Sequence, residues 1–180
     1  MNMKKLKKGE KGFTLVELLI AMLLTGIVAT AITGTILYVL NVNFNTANRM
    51  TAIRQVRNVG FWISPDFQMA RDVDPGGSQG FPLTLTWIDW ATNDTHKVIY
   101  TLEDMSGGFK RLQREHYINY PNLDSTITVA EYIDPGQTII DPDQPCIFPY
   151  CGAFKFTVTA TVGGQNETRV YEVETRPGSQ

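Results

Sequence analysis

The sequence predicts an α+β fold, with one long N-terminal helix followed by a domain of antiparallel strands. Three observations predict it. Residues 13–40 are almost wholly apolar and directly follow a basic segment. Apolar side chains then recur at three- and four-residue spacing as far as Phe67. Beyond a glycine-rich loop at 74–80 the period changes to two, so the first part reads as helix and the second as sheet.

Residues 1–12 carry Lys4, Lys5, Lys7, Lys8 and Lys11 against Glu10, a local net charge of +4. Residues 13–180 hold 11 basic and 17 acidic side chains. A mildly acidic body lacks the clustered Lys and Arg that neutralise phosphates, so no nucleic-acid partner is expected. The basic leader reads as a topology signal that holds the N-terminus in the cytoplasm.

The apolar stretch 13–40 is about 40 Å long as a helix, enough for a hydrocarbon core of about 30 Å. A secretory signal has a shorter apolar region that ends at a small-residue cleavage site. Glu17 is the single charge in the stretch, and the next charged residue is Arg49. A carboxylate at membrane depth costs on the order of 2–3 kcal/mol, which marks Glu17 as a functional candidate. Ala21, Gly26, Ala29, Thr30, Ala31 and Gly34 allow close helix approach, in a filament core or in a membrane dimer.

Lys11-Gly12-Phe13-Thr14-Leu15-Val16-Glu17-Leu18-Leu19-Ile20 resembles the class III signal of type IV pilins and type II secretion pseudopilins. The resemblance covers about 30 residues. It implies that a prepilin peptidase cuts between Gly12 and Phe13 on the cytoplasmic face and methylates the new Phe13 amine. Glu17 then falls at the fifth position of the mature chain, where the family carries a glutamate. In a filament that carboxylate would neutralise the Phe13 amine of a neighbouring subunit and so fix the axial register. Major pilins often carry a proline partway along this helix. None stands here, and Gly34, between Thr33 and Thr35, is the nearest weak point.

Phe44, Ala47, Met50, Ile53, Val56, Gly60, Ile63 and Phe67 continue the helix as an amphipathic segment over 41–71. Arg49, Arg54 and Arg57 lie on its other faces, as solvated residues or filament contacts. Ser64-Pro65-Asp66 predicts a kink, or a short second helix over 65–71. Phe61-Trp62-Ile63-Ser64, Asp66, Gln68-Met69-Ala70 and Leu83-Thr84-Leu85-Thr86-Trp87 resemble the W-type minor pilins and J-type minor pseudopilins, which are low-copy tip or priming subunits. Pro65 departs from that pattern.

Residues 74–80 read as loop. Strands are predicted at 83–88, 96–102, 109–117 and 126–133, with a C-terminal hairpin from 154–162 and 167–175. The segment 134–152, with Pro135, Pro142, Pro145 and Pro149, reads as a long irregular loop. Cys146 and Cys151 lie in it and, on an exported domain, are expected to pair as a structural disulfide. Their spacing lacks the CxxC pattern and further ligands of a metal site. Asp134, Asp141 and Asp143 are weak calcium candidates, since oxygen ligands on one loop suit that ion; their spacing matches no EF-hand. His96 and His116 are expected on different strands, as surface or sheet residues, with no serine or cysteine motif beside them. Trp87, Trp90, Phe109, Tyr117 and Tyr120 are expected to pack in the core rather than to form a sugar- or surface-binding patch.

Four segments result: leader 1–12, transmembrane and assembly helix 13–40, amphipathic continuation 41–71 and β-rich domain 72–180. The expected function is that of a non-enzymatic minor pilin-like subunit, needing no cofactor. Its expected partners are prepilin peptidase, other pilin or pseudopilin subunits, an inner-membrane assembly platform and membrane lipid. The expected location is the bacterial inner membrane as a single-pass protein, with the globular domain outside the cytoplasm, and then the filament. A secretion pseudopilin is the alternative within the family. A membrane-tethered binding domain that never polymerises is the alternative outside it.

Overall fold

The computed structural model describes residues 12–77, 79–142 and 153–175. Helix α1 (Leu15–Met69) is a single element of 55 residues. Eight strands follow: β1 (Asp72–Gly76), β2 (Gly80–Asp89), β3 (Asp94–Asp104), β4 (Lys110–Ile118), β5 (Leu123–Ile133), β6 (Ile139–Pro142), β7 (Ala153–Val162) and β8 (Gln165–Glu174). The architecture is therefore the expected α+β one. The chain divides into two units, Met1–Phe44 and Asn45–Gln180.

In the first unit α1 is long and apolar enough to cross a membrane. It continues without interruption through Gly34. The hydroxyls of Thr25, Thr33 and Thr35 donate to the carbonyls of Ala21, Ala29 and Ala31, at 2.7, 2.9 and 2.9 Å. Thr30 bonds the carbonyl of Ile27 at 2.8 Å. Each hydroxyl is thus satisfied within its own helix.

In the second unit the rest of α1 covers one face of the sheet. Its buried apolar stripe is Ala52, Val56, Val59, Ile63 and Phe67, one or two turns apart. Phe44 and Met50, placed on that stripe by spacing, are 67% and 54% exposed, because burial on the helix begins only at Ala52. No second helix starts at Pro65. Pro65 lies inside the helix, and the donor it lacks would have served the carbonyl of Phe61, an exposed residue. The helix ends where the amide of Ala70 donates to the carbonyls of Asp66 and Phe67.

The sheet is antiparallel in the order β1-β2-β3-β4-β5-β7-β6, with β8 on the other side of β7. Leu83 and Leu85 of β2, Val98 and Tyr100 of β3, Leu112 of β4, and Phe154, Phe156 and Val158 of β7 alternate inward and meet the helix stripe. Phe67 packs on Phe154 with ring centres 5.4 Å apart. Two strands replace predicted loop. Asp72–Gly76 pairs with β2 despite Pro75 and Gly76, since an edge strand needs to fill only one side of its ladder. Ile139–Pro142 pairs with β7 inside the proline-rich segment. The remaining strands begin and end within about three residues of their predicted limits.

Candidate functional site: the start of the long helix and the polar groups of the domain

Gly12, Phe13 and Thr14 precede the first helical residue, Leu15. Phe13 is 86% exposed, so the bond between Gly12 and Phe13 lies in open, non-helical chain, the form a protease needs. Thr14 is the N-cap. The Thr14 amide and hydroxyl both donate to Glu17 Oε2, at 3.1 Å each. The Glu17 amide donates back to Thr14 Oγ1 at 3.3 Å. This is a capping box, which satisfies amides at the helix start and puts a carboxylate at the positive end of the helix dipole. The box engages Oε2 alone; among the described residues no donor meets Oε1. The sequence signal for the box is Thr-x-x-Glu before an apolar run, Thr14 to Glu17.

The domain holds a second polar group that sequence spacing did not reveal. Arg114 of β4 reaches Asp66 of α1 with Nε on Oδ2 at 2.7 Å and Nη2 on Oδ1 at 2.9 Å. The Tyr100 hydroxyl also donates to Asp66 Oδ2. All three side chains are buried. Burial, and then the neighbouring Asp66 charge, push the Tyr100 phenol far above its usual range. Burial alone would lower Arg114, but its bonds and attraction to Asp66 outweigh that and leave it raised. The guanidinium also lies over the Trp62 ring, 5.2 Å from its centre. A bidentate, fully partnered pair of this kind is an internal clamp between helix and sheet.

His96 and His116 are on neighbouring strands, β3 and β4, as expected, but they also bond each other. His96 Nδ1 and His116 Nε2 are 3.0 Å apart, and His116 Nδ1 is 2.9 Å from Asp124 Oδ2. Asp124 as carboxylate only accepts, so His116 Nδ1 carries hydrogen, and with a neutral His116 ring its Nε2 accepts from His96 Nδ1–H. The ring centres are 5.2 Å apart and the rings nearly coplanar, so the two nitrogens face each other in line. An ion seated in line between the two facing nitrogens would need about 4 Å. Trp87 lies parallel to His96, and these rings line a cleft of about 770 Å³ with Gln68, Met69 and Trp90.

Of the aromatic residues expected in the core, Trp87 packs against it as a partly buried ring, and the other four lie outside it. Trp90 is 68% and Tyr120 61% exposed, and Trp87, Phe109 and Tyr117 are only partly buried. Trp87 and Trp90 stand near the end of α1 at Met69, where the inner sheet face loses its cover. Tyr117 and Tyr120 pack on each other, with Lys97 Nζ 4.5 Å from the Tyr120 ring centre.

Cys146, Cys151 and Asp143 lie outside the described residues. Asp134 Oδ1 accepts the Gly136 amide at 2.9 Å, and Asp141 is an exposed residue of β6. Among the described residues no three His, Cys, Asp or Glu side chains are placed to hold a metal ion.

Residues 7–33 match the family model described as the prokaryotic N-terminal methylation motif. No curated protein and no solved structure matches the chain. The chain thus carries the prokaryotic N-terminal methylation motif at the start of a long apolar helix that is followed by an antiparallel sheet.

Proposed function

We propose that the chain is a minor subunit of a type IV pilus. In this reading prepilin peptidase cuts between Gly12 and Phe13 and methylates the Phe13 amine. The helix 13–40 then holds the subunit in the inner membrane, with the globular domain outside the cytoplasm, until an assembly platform moves it into a filament with other subunits. Cys146 and Cys151 form a disulfide in the exported domain.

The observation that carries the proposal is the state of Glu17. It is the one ionisable side chain in an otherwise apolar helix start, and its Oε2 is occupied by Thr14 while Oε1 is open. The same carboxylate therefore caps its own helix and offers an oxygen to the methylated amine of an adjoining subunit. Pairing two charges inside an apolar bundle offsets much of the cost of holding either alone. A helix that only anchored a domain would use this carboxylate for its cap alone and leave Oε1 without a partner.

Co-expression with a prepilin peptidase, followed by mass spectrometry, should find N-methyl-Phe13 as the first residue. Glu17→Ala should leave cleavage intact and abolish incorporation into filaments. An uncut chain beside an active peptidase, or normal assembly of Glu17→Ala, would refute the proposal.

A further inference from the structure

Where α1 ends at Met69, a cleft of about 770 Å³ opens over the inner face of β2, β3 and β4. Trp87, His96 and His116 stand in one row across these strands, with their ring planes within 11° of one another. Trp90 follows on the turn after β2 and lines the same cleft. It is 68% exposed and lies outside the core. Two indoles, one stacked and one open, therefore bound a space that the helix does not fill.

The polar groups of this cleft are not all taken up by the protein. Gln68 makes no side-chain hydrogen bond among the described residues, so its amide can both donate and accept. Asp89 gives Oδ1 to the Ala91 amide at 2.9 Å and keeps Oδ2. With both imidazoles neutral, His96 donates through Nδ1 and its Nε2 keeps a lone pair. Arg114, 7% exposed, is engaged by Asp66 through Nε and Nη2, which leaves Nη1 as its remaining donor group. A plain apolar cover would strip water from these groups and return no hydrogen bonds. An anion finds no spare cation, because Asp66 already neutralises Arg114. A cation finds one carboxylate, Asp89, which the Ala91 amide already shares. A neutral ring bearing hydroxyls answers the whole set: the hydroxyls donate and accept, and the C–H face packs on an indole.

We propose that this cleft binds a neutral saccharide, with one pyranose ring stacked on Trp90 and its hydroxyls bonded to Gln68, Asp89 and His96. Trp90 is the platform because its ring is open, whereas Trp87 is already stacked on His96 and forms the wall. The inference goes beyond the filament reading and stands without it, since every residue it uses belongs to the unit Asn45–Gln180.

The test uses the full chain in a non-ionic polyoxyethylene detergent, which carries no sugar. Maltotriose, cellotriose and mannotriose are titrated by calorimetry, with sialyllactose and choline as charged probes. At least one neutral trisaccharide is expected to saturate a single site. Trp90→Ala should weaken that binding about tenfold through the lost stacking face. Gln68→Ala and Asp89→Ala should each weaken it about threefold through a lost hydrogen bond. Phe61→Ala removes a ring that is 72% exposed and lies away from the cleft, and should leave binding unchanged. Trp90 and Gln68 are both exposed, so their variants are expected to melt as the parent does. Binding of maltotriose or cellotriose marks a glucan and binding of mannotriose a mannan, and either supports the inference. No saturable binding of a neutral trisaccharide, tighter binding of a charged probe, or an affinity unmoved in both Trp90→Ala and Gln68→Ala would overturn it.

Discussion

Asp66 and Arg114 join the helix to the fourth strand across 48 positions of sequence through two parallel hydrogen bonds. Each charge is buried, so each depends on the other for the solvation it lost. Removing one partner is therefore worse than removing both. Arg114→Met is expected to destabilise the domain by about 3–5 kcal/mol, because it leaves a buried carboxylate without a counter-charge. Asp66→Asn combined with Arg114→Met should recover part of that loss. Denaturant unfolding of the full chain in detergent, followed by tryptophan fluorescence, reads both.

Tyr100 gives the same clamp a pH signature. Its phenol is raised in the folded state above the ordinary value of 10.0, first by burial and then by Asp66. A raised value means that the folded chain keeps a proton the unfolded chain releases. The stability linked to Tyr100 is thus full below pH 10 and declines as pH climbs past it, by up to about 1.4 kcal/mol per pH unit. Phenolate absorbance should show Tyr100 silent until the domain unfolds. Tyr100→Phe should flatten the alkaline decline.

Thr14→Ala removes the N-cap hydroxyl but leaves Glu17 and the cleavage site in place. Loss of an N-cap costs about 1 kcal/mol, so the Glu17 amide should exchange its hydrogen about fivefold faster in micelles. Unchanged exchange would show that the box contributes nothing to the first turn.

Gly60→Ala should cost about 1–3 kcal/mol, since the added methyl displaces the Tyr171 ring from the helix. The double change Gly60→Ala with Tyr171→Leu should cost less than the sum of the two single changes. Thermal melting of the four proteins forms the cycle that measures the coupling.

Most of the sheet was legible because inward and outward residues alternate, and Leu83, Leu85, Val98 and Leu112 show that alternation plainly. β1 and β6 were not legible, because their pairing is decided by β2 and β7 and not by their own composition. The start of the long helix could be read from Gly12, Phe13 and Glu17, since charge, length and apolar content are local properties. The Asp66–Arg114 clamp and the His96–His116 pair could not, because each joins residues that are distant along the chain. Pro65 misled for a related reason. A local rule allowed a second helix to start there, while Asp66 and Phe67 just beyond it are fixed by contacts with the sheet as part of the same helix.

The threonines of the apolar helix have a consequence for movement. Thr25, Thr30, Thr33 and Thr35 each spend their hydroxyl proton on a carbonyl of their own helix. None of these donations has to be broken or re-formed when the surroundings change from acyl chains to protein. In the function proposed above, passage between bilayer and filament would exchange one apolar neighbour for another along this stretch. In the proposed reading, the direction of that exchange is then left to the partner that Glu17 finds.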